Sequence, residues 1–197
     1  TGRFDEIGVT AGLAYNADGA AQAGMGVAVG DADGDGRQDL FVTNFSFDFN
    51  TLYAGLGTLL WDATAARGEL RMASHHPMGW GTLFADVDAD GDLDLAVANG
   101  QLYPAIDQSP SLRDICPYRQ RNHLFLNDGG AVFREVSTRA GEGFALRQCS
   151  RGLAAGDLDD DGDVDLVVTN IDDRPAILEN TGRQGHWLTV RLEQSDG

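Results

Sequence analysis

The stretch Asp31-Ala-Asp33-Gly-Asp35-Gly36-Arg37-Gln-Asp39 decides the reading of this chain, together with Gly26-Val-Ala-Val-Gly30 before it and Leu40-Phe-Val-Thr-Asn44 after it. It returns twice, as Asp86-Val-Asp88-Ala-Asp90-Gly91-Asp92-Leu-Asp94 and as Asp157-Leu-Asp159-Asp160-Asp161-Gly162-Asp163-Val-Asp165. All three fit D-x-D-x-D-G-x-x-D. Alternate Asp at positions 1, 3 and 5 can turn their carboxylates toward one point, Gly at position 6 permits the sharp turn, and Asp at position 9 closes the shell. Position 7 (Arg37, Asp92, Asp163) offers its carbonyl. A hard, all-oxygen, many-coordinate shell of this kind suits calcium better than magnesium or a transition metal. Without a cation, four converging carboxylates repel, and some must protonate for the loop to fold. Three ions are therefore expected. Asp160 occupies an even loop position and is expected to face away from its ion.

The flanks exclude an EF-hand, which needs helices and a bidentate Glu at position 12. Position 12 here is Val42, Val97 and Val168, inside short apolar runs rich in β-branched residues, the pattern of buried strands. The runs Gly81-Thr-Leu-Phe-Ala85 and Gly152-Leu-Ala-Ala-Gly156 precede the second and third loops. Each acidic loop thus joins two antiparallel strands. Two further strand candidates belong to each unit: Thr51–Tyr53, His123–Leu126 and Ala176–Leu178, and then Phe4–Ile7, Leu60–Ala63 and Phe133–Val136. A repeat of about four short strands marks an all-β chain built from blade-like units. The repeats are expected at about 1–59, 60–131 and 132–181. Asn44, Asn99 and Asn170 end the second strands as turn residues, and Asn50 corresponds to Asn122. Between Asn99 and Asn122 the chain carries an insertion, 100–121, read as a rim loop where binding resides.

Composition agrees. The chain has 197 residues, 31 acids against 14 basic residues, and 26 Gly. Of the acids 25 are Asp, a residue that disfavours helix interiors. The three loops hold 15 acids, and removing them takes the formal net charge from -17 to -2, so the acidity is local. Nucleic-acid binding is excluded, because phosphates would meet like charge. No apolar run approaches the roughly 20 residues of a membrane span. No signal peptide opens the chain, and Thr1 reads as the start of a mature or trimmed product. The basic residues are all Arg, as in a GC-rich bacterial gene, so the sequon Asn44-Phe-Ser46 is discounted.

With these motifs in hand, the chain resembles the FG-GAP/VCBS repeats of integrin α-like propellers, through the block Gly-x-x-x-Gly/Ala-Asp-x-Asp-x-Asp-Gly-x-x-Asp-Leu. It resembles more narrowly the bacterial relatives of cartilage acidic protein. Ala98-Asn-Gly-Gln-Leu-Tyr103-Pro104, Tyr118-Arg-Gln-Arg-Asn122-His-Leu-Phe-Leu-Asn127-Asp-Gly129 and Asn180-Thr-Gly182-x-x-Gly185-His186-Trp187-Leu-Thr-Val190-Arg191-Leu192 carry that likeness. It implies calcium on the loop Asp residues and a multi-bladed β-propeller. Residues 182–197 look like the start of an ASPIC/UnbV segment, which stops here almost as it begins. Three repeats are fewer than the four to eight that close a propeller, so further blades of the same chain or a homo-oligomer are expected to complete it.

The function expected is a calcium-stabilised scaffold, extracellular or periplasmic, that recognises protein or glycan through rim loops, as in cell adhesion. The competing readings are the frame of a polysaccharide-active, lyase-like enzyme and a structural subunit of an assembly or filament. No nucleophile–base motif stands out, and no catalytic residue is assigned. A cleft of Arg, Tyr, His and Asp would favour the enzyme, and Tyr103, Tyr118, Arg119 and Arg121 come closest. Cys116 and Cys149 are expected to form a disulfide pinning the insertion, as suits an oxidising compartment. His75-His76 is read as surface loop, its rings on opposite faces of an extended segment. Trp80, which stands where the other repeats have Met25 and Arg151, is read as packing between units.

Overall fold

The computed structural model describes residues 2–182. Its strands are β1 (Val27–Gly30), β2 (Asp39–Val42), β3 (Thr51–Gly55), β4 (Leu60–Asp62), β5 (Gly79–Ala85), β6 (Asp94–Asn99), β7 (His123–Asn127), β8 (Phe133–Glu135), β9 (Ser150–Gly156), β10 (Asp165–Asn170) and β11 (Ala176–Leu178). Three short helices accompany them, α1 (Gly8–Ala11) before β1, α2 (Leu70–Ser74) between β4 and β5, and α3 (Glu142–Ala145) between β8 and β9. The strands form three antiparallel sheets, ordered β1-β2-β3-β4, β5-β6-β7-β8 and β9-β10-β11. Among the described residues they make an open fan and no closed barrel.

Every strand run read from the sequence is a strand except Phe4–Ile7, which is irregular. A strand exists only by pairing, and no strand among the described residues pairs with this stretch; Phe4 is 96% and Ile7 60% exposed. Each first-to-second strand pair brackets an acidic loop: Gly30 faces Asp39, Ala85 faces Asp94, and Gly156 faces Asp165. Leu60–Asp62 and Phe133–Glu135 close the sheet of the preceding strands, so the first two sheets straddle the repeat boundaries drawn from sequence, while the third lies within 132–181.

The sheets stack through their first strands, β1 against β5 and β5 against β9. The recurring glycine five residues before each loop permits this approach. A Cβ on Gly26 would stand 2.0 Å from the carbonyl oxygen of Trp80, and one on Gly81 would stand 2.7 Å from that of Arg151. Between the first two sheets pack Phe41, Leu52, Leu70, Leu95, Val97, Phe125 and Phe133, all at 0–1% exposure. Each contributes about 1.5–3 kcal/mol by leaving water. Ala96, Leu124, Val136, Phe144 and Leu166 form the second seam. The middle sheet is thus covered on both faces, which is why β6 is buried at every position. In the first sheet β2 alternates buried with half-buried, while β3 is buried throughout, with Gln22 bonded to Thr51 at 2.6 Å.

The insertion stays a loop, with a 3-10 turn at Pro104–Gln108. Its base repeats a device of the first unit: the N–H of Asn44 donates to Asn50 Oδ1 at 2.8 Å, and that of Asn99 to Asn122 Oδ1 at 2.9 Å. The expected disulfide is not formed; Cys116 and Cys149 are free, buried thiols. The thiol of Cys149 donates to the carbonyl of Gln101 at 3.1 Å, and burial pushes that of Cys116 above its ordinary pKa. Backbone pairing does the pinning instead. Gln120 and Gln148 exchange N–H···O bonds of 2.9 and 3.0 Å, and Arg119 pairs with Asp173 at 2.7 Å.

Candidate metal centres

The three loops fold by one hydrogen-bond scheme. The carboxylate at position 1 accepts two N–H groups across the turn, from positions 5 and 6: Asp31 from Asp35 and Gly36 (3.0 and 2.8 Å), Asp86 from Asp90 and Gly91 (3.1 and 3.0 Å), and Asp157 from Asp161 and Gly162 (3.2 and 3.0 Å). Position 5 accepts the N–H of position 7, so Asp35, Asp90 and Asp161 hold Arg37, Asp92 and Asp163 at 2.9–3.1 Å. Gly36, Gly91 and Gly162 have φ of 85°, 99° and 95°, the left-handed backbone expected at position 6.

Position 4 also turns left-handed, and only one loop has a glycine there. Gly34, Ala89 and Asp160 have φ of 73°, 55° and 62°. Strain of this kind costs on the order of 1 kcal/mol for a residue with a Cβ. Ala89→Gly is therefore expected to raise stability by about 1 kcal/mol, read as a higher urea midpoint with an unchanged slope. Asp160 itself is exposed, as are Asp157, Asp159 and Asp161 beside it.

Asp39, Asp94 and Asp165 at position 9 are the most buried acids of the loops, 1–2% exposed. Each spans two segments: one oxygen accepts an N–H of its own loop (Ala32, Val87, Leu158) and the other an N–H at the end of the third strand or just beyond it (Gly55, Asn127, Asn180), at 2.8–3.0 Å. The loops are also tied across the fan. The Asn127 side-chain amide donates to the carbonyl of Ala32 in the first loop at 2.8 Å, and that of Asn180 to the carbonyl of Val87 in the second at 2.7 Å. Neither link is readable from one repeat. The only signal is the shared Asn-x-Gly after the third strand.

Three acidic clusters result that could each hold a metal ion: Asp31, Asp33 and Asp39; Asp86, Asp88 and Asp90; Asp157, Asp159 and Asp165. In each, ligand oxygens lie within 4.8 Å of one another. Positions 1 and 3 converge in all three loops, joined by position 9 in the first and third and by position 5 in the second. Asp35 is turned instead to the Arg37 guanidinium. Asp94 stands beside Asp88 and Asp90, and Asp161 against the Asp159 carboxylate; Arg37, Asp92 and Asp163 are expected to offer backbone carbonyls and not side chains.

The donor set fits a cation. Asp33 Oδ1 and Asp88 Oδ1 are buried and accept no hydrogen bond, although buried carboxylate oxygens are costly to leave unpaired. The other oxygen of Asp33 takes Arg67 at 3.2 Å. Burial, then the charges of Asp90 and Asp86, raise the pKa of Asp88. Asp39 is raised mainly by burial, and burial lifts Asp94 to about 7. A carboxyl with a raised folded pKa stabilises fully below its unfolded value, about 3.9, and loses that contribution as pH rises through about 7. His123, packed edge-on against Phe125, runs oppositely: burial lowers it to about 4, so it costs stability as pH falls below its unfolded value. The two overlap, and a difference measurement separates them. In metal-free protein, the stability of Asp94→Asn relative to wild type is expected to rise between pH 4 and 7, by at most about 1.4 kcal/mol per pH unit. Urea midpoints of both proteins across that range check it.

Elsewhere the candidate residues do not converge on a reaction centre. Tyr103 is 60% exposed, Arg119 is held by Asp173, and Tyr118 lies against the Cys149 thiol. His75 and His76 do touch, with ring centroids 4.9 Å apart, because α2 ends in a helical turn there and the segment is not extended; both rings also meet Phe47 edge-on. Trp80 sits at the junction of the second and third sheets under the Arg151 guanidinium, 4.1 Å from its ring centroid, and donates to the carbonyl of Gly100 at 2.7 Å. A cavity of about 840 Å³ between β7–β8 and β11 is lined by Leu124, Leu126, Val136, Phe144 and Leu178, with Arg134 and Arg139 at its polar edge. No helix among the described residues is long and apolar enough to cross a membrane. No family model matches the chain, and no curated protein matches it.

Proposed function

We propose that this chain is a calcium-stabilised β-propeller module of the FG-GAP/VCBS type, related to the bacterial cartilage-acidic-protein-like family. Its role is that of a secreted or periplasmic scaffold that binds protein or glycan through rim loops. The observation that carries the reading is the threefold identity of the loops, with buried, unpartnered carboxylate oxygens at Asp33 and Asp88 aimed among other acids. Such oxygens are satisfied by a hard cation with a large, flexible coordination shell, which is calcium's preference. The ligands proposed are Asp31, Asp33 and Asp39, Asp86, Asp88 and Asp90, and Asp157, Asp159 and Asp165, with remaining loop oxygens and water filling each shell. Three divalent ions would take the formal charge from -17 to -11. The stacking of two four-stranded sheets and one three-stranded sheet by their first strands supports the propeller reading, and the free thiols withdraw one argument for export.

Calorimetric titration of metal-stripped protein is expected to give three calcium ions per chain and much weaker magnesium binding. Fewer than two ions, or a preference for magnesium, would sink the assignment. Binding is tested separately, on glycan and extracellular-protein arrays in calcium. Turnover of an arrayed polysaccharide would favour the lyase-like alternative.

A further inference from the structure

A small cavity of about 120 Å³ opens beside the insertion, on the middle sheet, which has a neighbouring sheet on either side. Pro77 before β5, Gln120 and Arg121 of the insertion with His123 at the start of β7, and Arg147 before β9 line it, so three stretches distant in sequence converge there. It stands at the end of the sheet where Gly79 faces Asn99, whereas the acidic loop stands at the end where Ala85 faces Asp94. The length of β6, Asp94–Asn99, separates the two ends by about 17 Å at the usual strand rise. That exceeds the screening length of roughly 10 Å at 0.1 M salt.

The wall of this cavity offers donors. The side-chain oxygen of Gln120 accepts the N–H of Met78 at 3.0 Å, which fixes the amide and leaves its nitrogen as the free end. Gln120 is 4% exposed, and its Nε2 is buried with no hydrogen-bond partner among the described residues, a costly state for a donor. Nδ1 of His123 is likewise buried and unpartnered. An anion selects the neutral tautomer that carries its proton there. The charges agree with the donors. Arg113 and Arg119 of the same insertion are each paired with an acid, Asp114 at 3.8 Å and Asp173 at 2.7 Å. Arg121 and Arg147 pair with no carboxylate among the described residues, and no acidic side chain lines the cavity, in a chain of formal net charge -17. Both arginines stand on fixed backbone. The carbonyl of Arg121 takes the Asn99 side-chain amide at 2.9 Å, and Arg147 precedes Gln148, whose backbone pairs with that of Gln120.

We infer that this cavity binds one oxyanion, a carboxylate or sulfate group, through the Arg121 and Arg147 guanidiniums and the Gln120 amide, with His123 as a further donor. Guanidinium forks and amide N–H groups match the oxygens of such an anion. The volume is that of a head group, and Pro77 and Pro117 give an apolar wall to whatever carries it. The carrier is an acidic sugar or the anion is free. The acidic-sugar source rests on the reading of the insertion as a binding rim; the oxyanion site itself does not, and neither depends on calcium.

The test is proton–nitrogen NMR of the whole chain in calcium, titrated at constant ionic strength with sulfate, acetate, glucuronate and, as neutral control, glucose. The Gln120 side-chain amide and the Arg121 and Arg147 Nε–H signals are expected to shift in a saturable way with the anions and to stay still with glucose. Arg121→Ala and Arg147→Ala, both at exposed positions, should each weaken binding about tenfold. Arg113→Ala, on the same insertion, should leave it unchanged. Gln120→Glu keeps the acceptor for Met78 and puts a carboxylate in place of the donor, so it should abolish binding while the rest of the spectrum stays folded. Glucuronate bound more tightly than acetate and sulfate identifies an acidic sugar, and equal affinities identify a free oxyanion. No saturable shift with any anion, equal shifts with glucose, or an affinity unmoved in both arginine variants overturns the inference. If the anions fail while a neutral glycan or a protein binds on the arrays, the rim reading stands without this site. If the anions bind and the arrays stay blank, the site stands without the rim reading.

Discussion

Removing calcium is expected to lower the melting temperature of this protein by roughly 10 °C. A ligand present at ten times its dissociation constant, and bound only by the folded state, contributes about 1.4 kcal/mol per site. Three such sites sum to about 4 kcal/mol, and for a chain of this size each kcal/mol moves the midpoint by about 2–4 °C. The direction follows from the loops: chelation leaves Asp33 Oδ1 and Asp88 Oδ1 buried without a partner and returns three clusters of like charge to mutual repulsion. Extracellular calcium modules often have dissociation constants as weak as about 0.1–1 mM, so the shift should grow as calcium is raised through that range. Scanning calorimetry in chelator and across a calcium series measures it. A chelated protein that melts with the loaded one would make these loops ordinary acidic turns.

The second large effect separates ligand from girder. Asp39→Ala, Asp94→Ala and Asp165→Ala each strip acceptors from two backbone N–H groups, one in the loop and one at or just past the end of the third strand. An orphaned buried donor costs about 1–3 kcal/mol, so each variant is expected to lose about 3 kcal/mol, in chelator as well as in calcium. Asp90→Ala removes an oxygen from the second cluster and an acceptor for one exposed N–H. Its loss should be largest in calcium and shrink toward a few tenths of a kcal/mol in chelator. Asp35→Ala should behave likewise but more weakly, since Asp35 already faces Arg37. Asp160→Ala, at an exposed position, should change little in either buffer. Urea midpoints of the six variants, with and without calcium, test the division. If Asp94→Ala matched Asp160→Ala in chelator, position 9 would have no structural role.

Much of this was written locally and three times over. An alternating Asp loop between two β-branched runs requires a hairpin, because period-2 apolar strands on both sides bury only when folded back on each other. The sequence therefore determined the strands, the loops and the antiparallel order. It determined the left-handed turn at position 6 through Gly36, Gly91 and Gly162. Phe4–Ile7 shows the limit of such reading: its pattern matches Leu60–Asp62, but a strand is a property of a pair, and no strand among the described residues pairs with it.

What only the tertiary structure decided involves atoms brought together from distant repeats. The recurring glycine is visible in the sequence, but its reason is the Trp80 or Arg151 carbonyl of the next sheet, more than fifty residues away. The Asn127 and Asn180 amides that brace the preceding loops, and the Arg67 guanidinium on Asp33, are likewise links between separate sheets. The cysteines belong here too: both are free, buried thiols, and the insertion is held by backbone pairing at Gln120 and Gln148. Local spacing fixes which oxygens can turn toward a point. Which of them do, position 9 in two loops and position 5 in the other, depends on what the rest of the fold asks of the same carboxylates.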